Sequence, residues 1–112
     1  MKKLLGIILA RGGSKGIPNK NLKKVNKKPL IEWTINAALK SKFIDDIIIS
    51  TDSKKIANFG IKKKIEIPFI RPSSLATDSS PSYQSILHAI KFLEKKGRFY
   101  KNIILLEPTS PL

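Results

Sequence analysis

The chain has 112 residues, 22 Lys plus Arg against 8 Asp plus Glu, one His and no Cys, for a formal net charge of +14. That length allows one domain at most, and a hydrophobic share of 41% excludes a chain disordered by composition. Without cysteine, and with a single histidine, there is no disulfide framework, thiolate metal site, cysteine nucleophile or multi-His centre.

The start, Met1-Lys2-Lys3 and then an apolar run over residues 4–10, imitates a signal peptide. The run is short, however, and leads into Arg11-Gly12-Gly13, where a small-residue cleavage site would be needed. No apolar run approaches the roughly 18 residues of a membrane span, so a cytoplasmic protein with no membrane partner is expected. Residues 4–10 read instead as a strand buried on both faces. Pro29 to about Lys40 then reads as a helix with Ile31, Ile35, Ala38 and Leu39 on one face. Ile47-Ile48-Ile49-Ser50 is a second buried strand. Ser53 to Phe59 is a short helix that Asp52 or Ser53 can cap and Gly60 can end. Residues 65–69 form a weaker strand, shortened by Pro68. Pro81 to Lys96 is a helix with Ile86, Leu87, Ile90 and Leu93 inward, lysines in its last turn and Gly97 as its stop. Ile103-Ile104-Leu105-Leu106 is the last strand. Alternation of this kind predicts an α/β fold: a doubly wound, mostly parallel, Rossmann-like sheet of about four strands.

In such sheets ligands bind beyond the carboxyl ends of the strands. Past the first strand lies Arg11-Gly12-Gly13-Ser14-Lys15-Gly16-Ile17-Pro18-Asn19-Lys20-Asn21. Its glycines let backbone N–H groups approach an anion, and Arg11, Lys15 and Lys20 can neutralise phosphates. Neither the P-loop spacing nor Gly-x-Gly-x-x-Gly is present, and the plainer reading is a surface glycine loop. Thr51-Asp52 ends the second strand and reads first as a helix cap. His88, flanked by Leu87, Ala89 and Ile90, reads as a structural histidine. Nineteen of the basic residues are lysines in short runs, read as solvated surface. The competing reading is a nucleic-acid-binding domain.

Taken whole, Ala10-Arg11-Gly12-Gly13-Ser14-Lys15-Gly16-Ile17-Pro18-Asn19-Lys20-Asn21 with Lys28-Pro29-Leu30-Ile31 resembles the signature loop of the acylneuraminate cytidylyltransferases, or CMP-sialic acid synthetases. Three further segments fit that family in the same order. They are Ile49-Ser50-Thr51-Asp52, Arg71-Pro72-Ser73-Ser74-Leu75-Ala76-Thr77-Asp78 and Leu106-Glu107-Pro108-Thr109-Ser110-Pro111-Leu112. The resemblance covers essentially the whole chain. It implies a nucleotidyltransferase fold and a transfer of cytidylyl from CTP to a nonulosonic acid (sialic, legionaminic or related), with release of pyrophosphate. It implies that Arg11, Lys15 and Lys20 hold the triphosphate, with Lys20 and Arg11 the catalytic contacts. Leu9, Ala10, Gly12, Gly13 and Ser14 would add backbone or side-chain donors to CTP. Asn21 would lie near the ribose, and Arg71 and the stretch through Ser82 would read cytosine. Glu107, Thr109 and Ser110 would face the nine-carbon sugar acid; many members carry Gln where this chain has Glu107, so the acceptor sugar is left open. Mg²⁺ is expected, with ligands mainly in a later segment, and no metal site is assigned within residues 1–112.

Family chains are about twice this length. The expectation is therefore an N-terminal, CTP-binding half that leaves a sheet edge open and either self-associates or joins a second half. A CTP-binding fragment without catalysis and a basic nucleic-acid-binding domain are the alternatives. CTP-specific stabilisation separates the first two from the third, and product formation separates the first from the second.

Overall fold

A computed structural model of the chain describes residues 2–13, 20–77 and 79–108. In chain order it forms β1 (Lys2–Leu9), β2 (Lys24–Val25), β3 (Lys28–Pro29), α1 (Leu30–Lys40), β4 (Asp46–Ser50), α2 (Lys54–Lys62), α3 (Ser82–Lys95) and β5 (Tyr100–Leu106). The main sheet is parallel, in the order β4-β1-β5, with Ile7 opposite Ile48 on one side and Leu105 on the other.

From Leu4 onward the central strand is apolar because both of its faces are covered. Ile8 and Ala10 pack with Ile31 and Ile35 of α1, Ile49 of β4 and Ile56 of α2. On the opposite face, Leu5 and Ile7 pack with Ile48 and with Ala89 and Leu93 of α3. Alternation at period two thus sends successive side chains into two separate cores. This is the doubly wound α/β arrangement the strand and helix order implies.

Four local features differ from the sequence expectation. The weak strand over residues 65–69 contributes a single parallel bridge, Glu66 to Ile48, so the parallel sheet has three strands among the described residues. Pro68 has no N–H to continue the ladder. A small hairpin, β2–β3, precedes α1. Its turn residues Asn26 and Lys27 take φ of 50° and 73°, the left-handed conformation that two-residue hairpins use and that Asn tolerates. Trp33 of α1 ties the hairpin down by donating Nε1–H to Val25 O at 2.8 Å.

Gly60 does not end α2. It lies inside the helix, where a Cβ would come within 2.8 Å of Ile49 Cδ1 and 2.9 Å of Ile67 Cδ1, so it serves close helix–sheet packing. Finally, α3 is rotated from the expected face. Its buried residues are Ser85, Ala89 and Leu93, while Leu87 is 46% exposed. Leu39 of α1, also expected inside, is 57% exposed. Gly97, at φ 78°, does follow the end of α3 as expected.

At the amino ends of the strands a polar network joins four segments. Arg98 donates to both carboxylate oxygens of Glu66 and to Tyr100 Oη. Tyr100 donates to Asp46, which Lys2 Nζ also reaches at 3.1 Å. Burial pushes the Asp46 carboxyl up. Hydrogen bonds from Tyr100 and Lys2, with the charges of Lys2 and Arg98, outweigh that and hold it below the ordinary aspartate value. A depressed folded-state pKa stabilises the fold above the unfolded value of about 3.9 and loses that contribution as pH falls through the folded value. Asp46→Asn is therefore expected to lower urea-unfolding stability at about pH 7, and the gap from wild type to narrow progressively as pH falls below about 3.9. A gap independent of pH would overturn the assignment.

Candidate functional site

The chain leaves β1 toward β4 on one side and returns through α3 to β5 on the other. Such a reversal opens a crevice at the carboxyl ends of the strands. A cleft of about 310 Å³ lies there. Leu9 at the end of β1, Arg11, Lys20, Asn21, Arg71, Ser82 and Glu107 line it together with Leu75, Thr77, Ser80, Ser85 and Pro108. Seven side chains singled out from sequence, drawn from four separate segments, are thereby brought to one place. Ser14, Lys15, Thr109 and Ser110 lie outside the described residues.

Arg71 is the most constrained of the cationic groups. It is 4% exposed, its backbone N–H donates to Thr51 O at 2.7 Å, and Nη1 donates to Ser85 Oγ at 2.8 Å. Ser85 in turn donates to Leu75 O at 3.2 Å. Nε and Nη2 of Arg71 are buried and have no hydrogen-bond partner among the described residues. Burial pulls the guanidinium below its ordinary range, with the Arg11 charge adding to the pull and Asp52 opposing it. The group still stays charged, because arginine does not lose its proton in proteins. A buried cation with two unfilled donors is costly unless something accepts from it.

The neighbouring groups are arranged by the backbone. Lys20, on a short 3₁₀ turn, is exposed, and Asn21 beside it is buried and donates Nδ2 to Arg11 O at 3.0 Å. Asn21 thus holds the start of the loop as well as lining the cleft. Ser82 in the first turn of α3 donates its hydroxyl to Glu107 Oε1 at 3.2 Å, placing a carboxylate at the rim of a largely basic cleft.

Two amides expected to serve a ligand are engaged within the chain. Ala10 N–H donates to Ser50 O at 3.1 Å, and Ala10 itself is in the core. Gly12 N–H donates to Asp52 Oδ1 at 2.7 Å. Gly13 is exposed, with open space where a Cβ would stand. Ser53 caps α2, accepting from Ile56 N at 3.3 Å, which leaves Asp52 for Gly12. His88 meets the Phe69 ring edge-on at 4.6 Å, and burial first, then the Arg71 charge, pull its pKa below the ordinary histidine value.

Sequence reasoning did not find Ser85. Its signal was a small hydroxyl at the head of the i, i+4, i+8 stripe Ser85-Ala89-Leu93, where an apolar residue would otherwise pack. Among the described residues no three His, Asp or Glu side chains converge as metal ligands. No described helix is long and apolar enough to cross a membrane.

Fold and cleft together define a doubly wound α/β protein with a cationic crevice at the strand carboxyl ends, chemistry suited to a phosphorylated ligand. The profile of the cytidylyltransferase family matches residues 5–108, and the chain belongs to that family. It is 38% identical over 109 residues to a CMP-N,N'-diacetyllegionaminic acid synthase of Legionella pneumophila, covering 97% of this chain and 47% of the relative. It is 38% identical over 110 residues to a pseudaminic acid cytidylyltransferase of Campylobacter jejuni, covering 98% of this chain and 47% of that one. An N-acylneuraminate cytidylyltransferase of Escherichia coli is 40% identical over 110 residues, covering 97% of this chain and 25% of its own length. The chain thus spans about half the length of the first two relatives and a quarter of the third. A solved CMP:2-keto-3-deoxy-manno-octonic acid synthetase complexed with CTP superposes with a TM-score of 0.76 at 18% identity, over 96% of this chain and 40% of that one. That likeness supports the fold.

Proposed function

We propose that residues 1–112 form the CTP-binding part of an enzyme that transfers cytidylyl from CTP to a nonulosonic acid. The observation that carries this reading is buried Arg71, held at the cleft with two donors unfilled. Cytosine offers two acceptors, O2 and N3, for donors of this kind. Arg11 and Lys20 line the same cleft and would meet the triphosphate. The acceptor class is supported by the three relatives, which are named for N,N'-diacetyllegionaminic acid, pseudaminic acid and N-acylneuraminate.

In the reaction, a sugar hydroxyl oxygen forms a bond to the α-phosphorus and loses its proton. The bond from that phosphorus to the bridging oxygen breaks, and pyrophosphate leaves with the electron pair. Negative charge grows on the α-phosphate and the leaving group, where Lys20 and Arg11 would stabilise it. Asn21 and Asp52 fix the backbone at Arg11 and Gly12, so the Arg11 side chain starts from a held position. Glu107 and Ser82, at the rim, would orient the incoming sugar acid through hydroxyls. The described residues do not supply a cluster fit for Mg²⁺. A cytoplasmic location belongs to the same reading.

The nucleic-acid reading fits less well. Exposed aromatics would be interleaved with the lysines for base stacking, whereas Phe43, Tyr83 and Phe99 stand apart on separate segments.

Thermal unfolding with nucleotides tests the proposal. CTP at about 100 times its Kd should stabilise the chain by about 2.7 kcal/mol, and ATP should do so less. Lys20→Ala should remove most of the CTP effect. A wild-type chain whose melting temperature ignores CTP would refute the binding role. Formation of a CMP-sugar from CTP and a nonulosonic acid then tests catalysis itself.

A further inference from the structure

The turn over residues 51–53 grips both sides of the cleft. Thr51 O accepts from the Arg71 backbone N–H at 2.7 Å. Asp52 Oδ1 accepts from Gly12 N–H at 2.7 Å. Ser53 presses so closely on Gly12 that a Cβ there would sit 2.7 Å from Ser53 Cβ. Ser53 is itself held twice. Its N–H donates to Thr51 Oγ1 at 3.1 Å and its hydroxyl caps α2. A rigid three-residue turn therefore fixes the backbone next to Arg11 and the backbone of Arg71 at once.

We infer that Asp52 is a positioning residue: its carboxylate pins Gly12, at the start of the glycine loop, to the turn that anchors Arg71, setting the separation of Arg11 from Arg71 across the cleft. This rests on the CTP-binding reading above for its consequence, though not for the contact. The choice of residue is informative. A carboxylate beside two arginines that should attract an anion opposes that attraction by its own charge. It is favoured there if what it contributes is a strong, short hydrogen bond to a backbone amide. Glycine at position 12 follows from the same contact, since no larger residue can come so near Ser53.

The two roles predict opposite signs. If Asp52 acts only through charge, removing it raises the positive potential, and Asp52→Asn and Asp52→Ala tighten CTP binding alike. If it positions the loop, Asp52→Asn keeps an acceptor for Gly12 N–H and stays within about 3-fold of wild-type affinity, while Asp52→Ala weakens CTP by 10-fold or more. Calorimetric titration of the three chains with CTP reads this. Amide exchange of Gly12, measured by NMR on the chains without nucleotide, is expected to be slow in wild type and Asp52→Asn and fast in Asp52→Ala. Equal affinities for the two variants, or equal Gly12 exchange in all three chains, would overturn the inference. If the wild-type chain binds no CTP, the functional reading fails, and Gly12 exchange still decides whether the carboxylate pins the loop.

Discussion

Arg71→Ala is expected to lose about 30-fold or more in CTP affinity, corresponding to about 2–3 kcal/mol for charged hydrogen bonds to a buried acceptor. The unliganded chain should meanwhile keep its stability to within about 1 kcal/mol. The two expectations share a cause. In the unliganded fold the guanidinium is desolvated with Nε and Nη2 unfilled, offset by Ser85 and the charge of Asp52. Removing it relieves that desolvation cost and loses packing and the bond to Ser85, which keeps its own bond to Leu75 O, so the opposing effects largely offset. On the proposed reading, bound CTP fills those donors. Arg71→Lys should not restore affinity, because an ammonium lacks the planar fork that can reach Ser85 and a base together. The loss should be greater for CTP than for ATP. Equal loss for both, measured by calorimetry, would count against base reading by Arg71. A fall in unliganded melting temperature as large as a core deletion would mean that Arg71 is chiefly structural.

Ile8→Ala should cost about 3 kcal/mol and lower the melting temperature by on the order of 10 °C. Ile8 is fully buried on the central strand and packs in one cluster with Ile31, Ile35, Ile49 and Ile56. Truncation there opens a cavity bordered by two helices and a strand, which cannot all close on it. Leu87→Ala is the informative companion. Helical periodicity places Leu87 on the inner face, yet it is 46% exposed. Its truncation should cost less than about 1 kcal/mol. Thermal or urea unfolding of both variants checks this. Comparable losses at positions 8 and 87 would show that α3 packs on the face the periodicity suggests.

The rotation of α3 has a traceable reason. Ile86, Leu87, Ile90 and Leu93 form a plausible apolar stripe, but Ser85 is drawn inward by Arg71 and Leu75 O. Turning the helix to bury a serine and an alanine brings α3 close against β1 and leaves Leu87 outside. A polar residue wins an interior place here because its partner, a buried guanidinium, would otherwise lose its remaining hydrogen bond. Gly60 is a similar case. Read alone it is a helix stop. Packed against Ile49 and Ile67 it is the one residue small enough for that position.

The sequence by itself determined the three parallel strands, the three helices and the α/β class, because these depend on apolar spacing within a few residues; it did not show that β5, read as buried like the others, lies at the sheet edge with Ile104 39% exposed. It also marked the cationic loop and Arg71 as lying past strand ends, so the cleft's location was legible once the winding was inferred. Tertiary structure decided which donors remain open. Ala10 and Gly12 look like amides that face the nucleotide, yet one joins the ladder to β4 and the other is taken by Asp52, 40 residues away. Arg71 reads as a base-binding side chain, but its pairing with Ser85, 14 residues on, and its two unfilled nitrogens appear only when α3 docks. Local patterning acts over a turn of helix or a few strand residues. A hydrogen bond between distant segments is set by where packing brings them, and that contact divides a donor held by the fold from one left for a ligand.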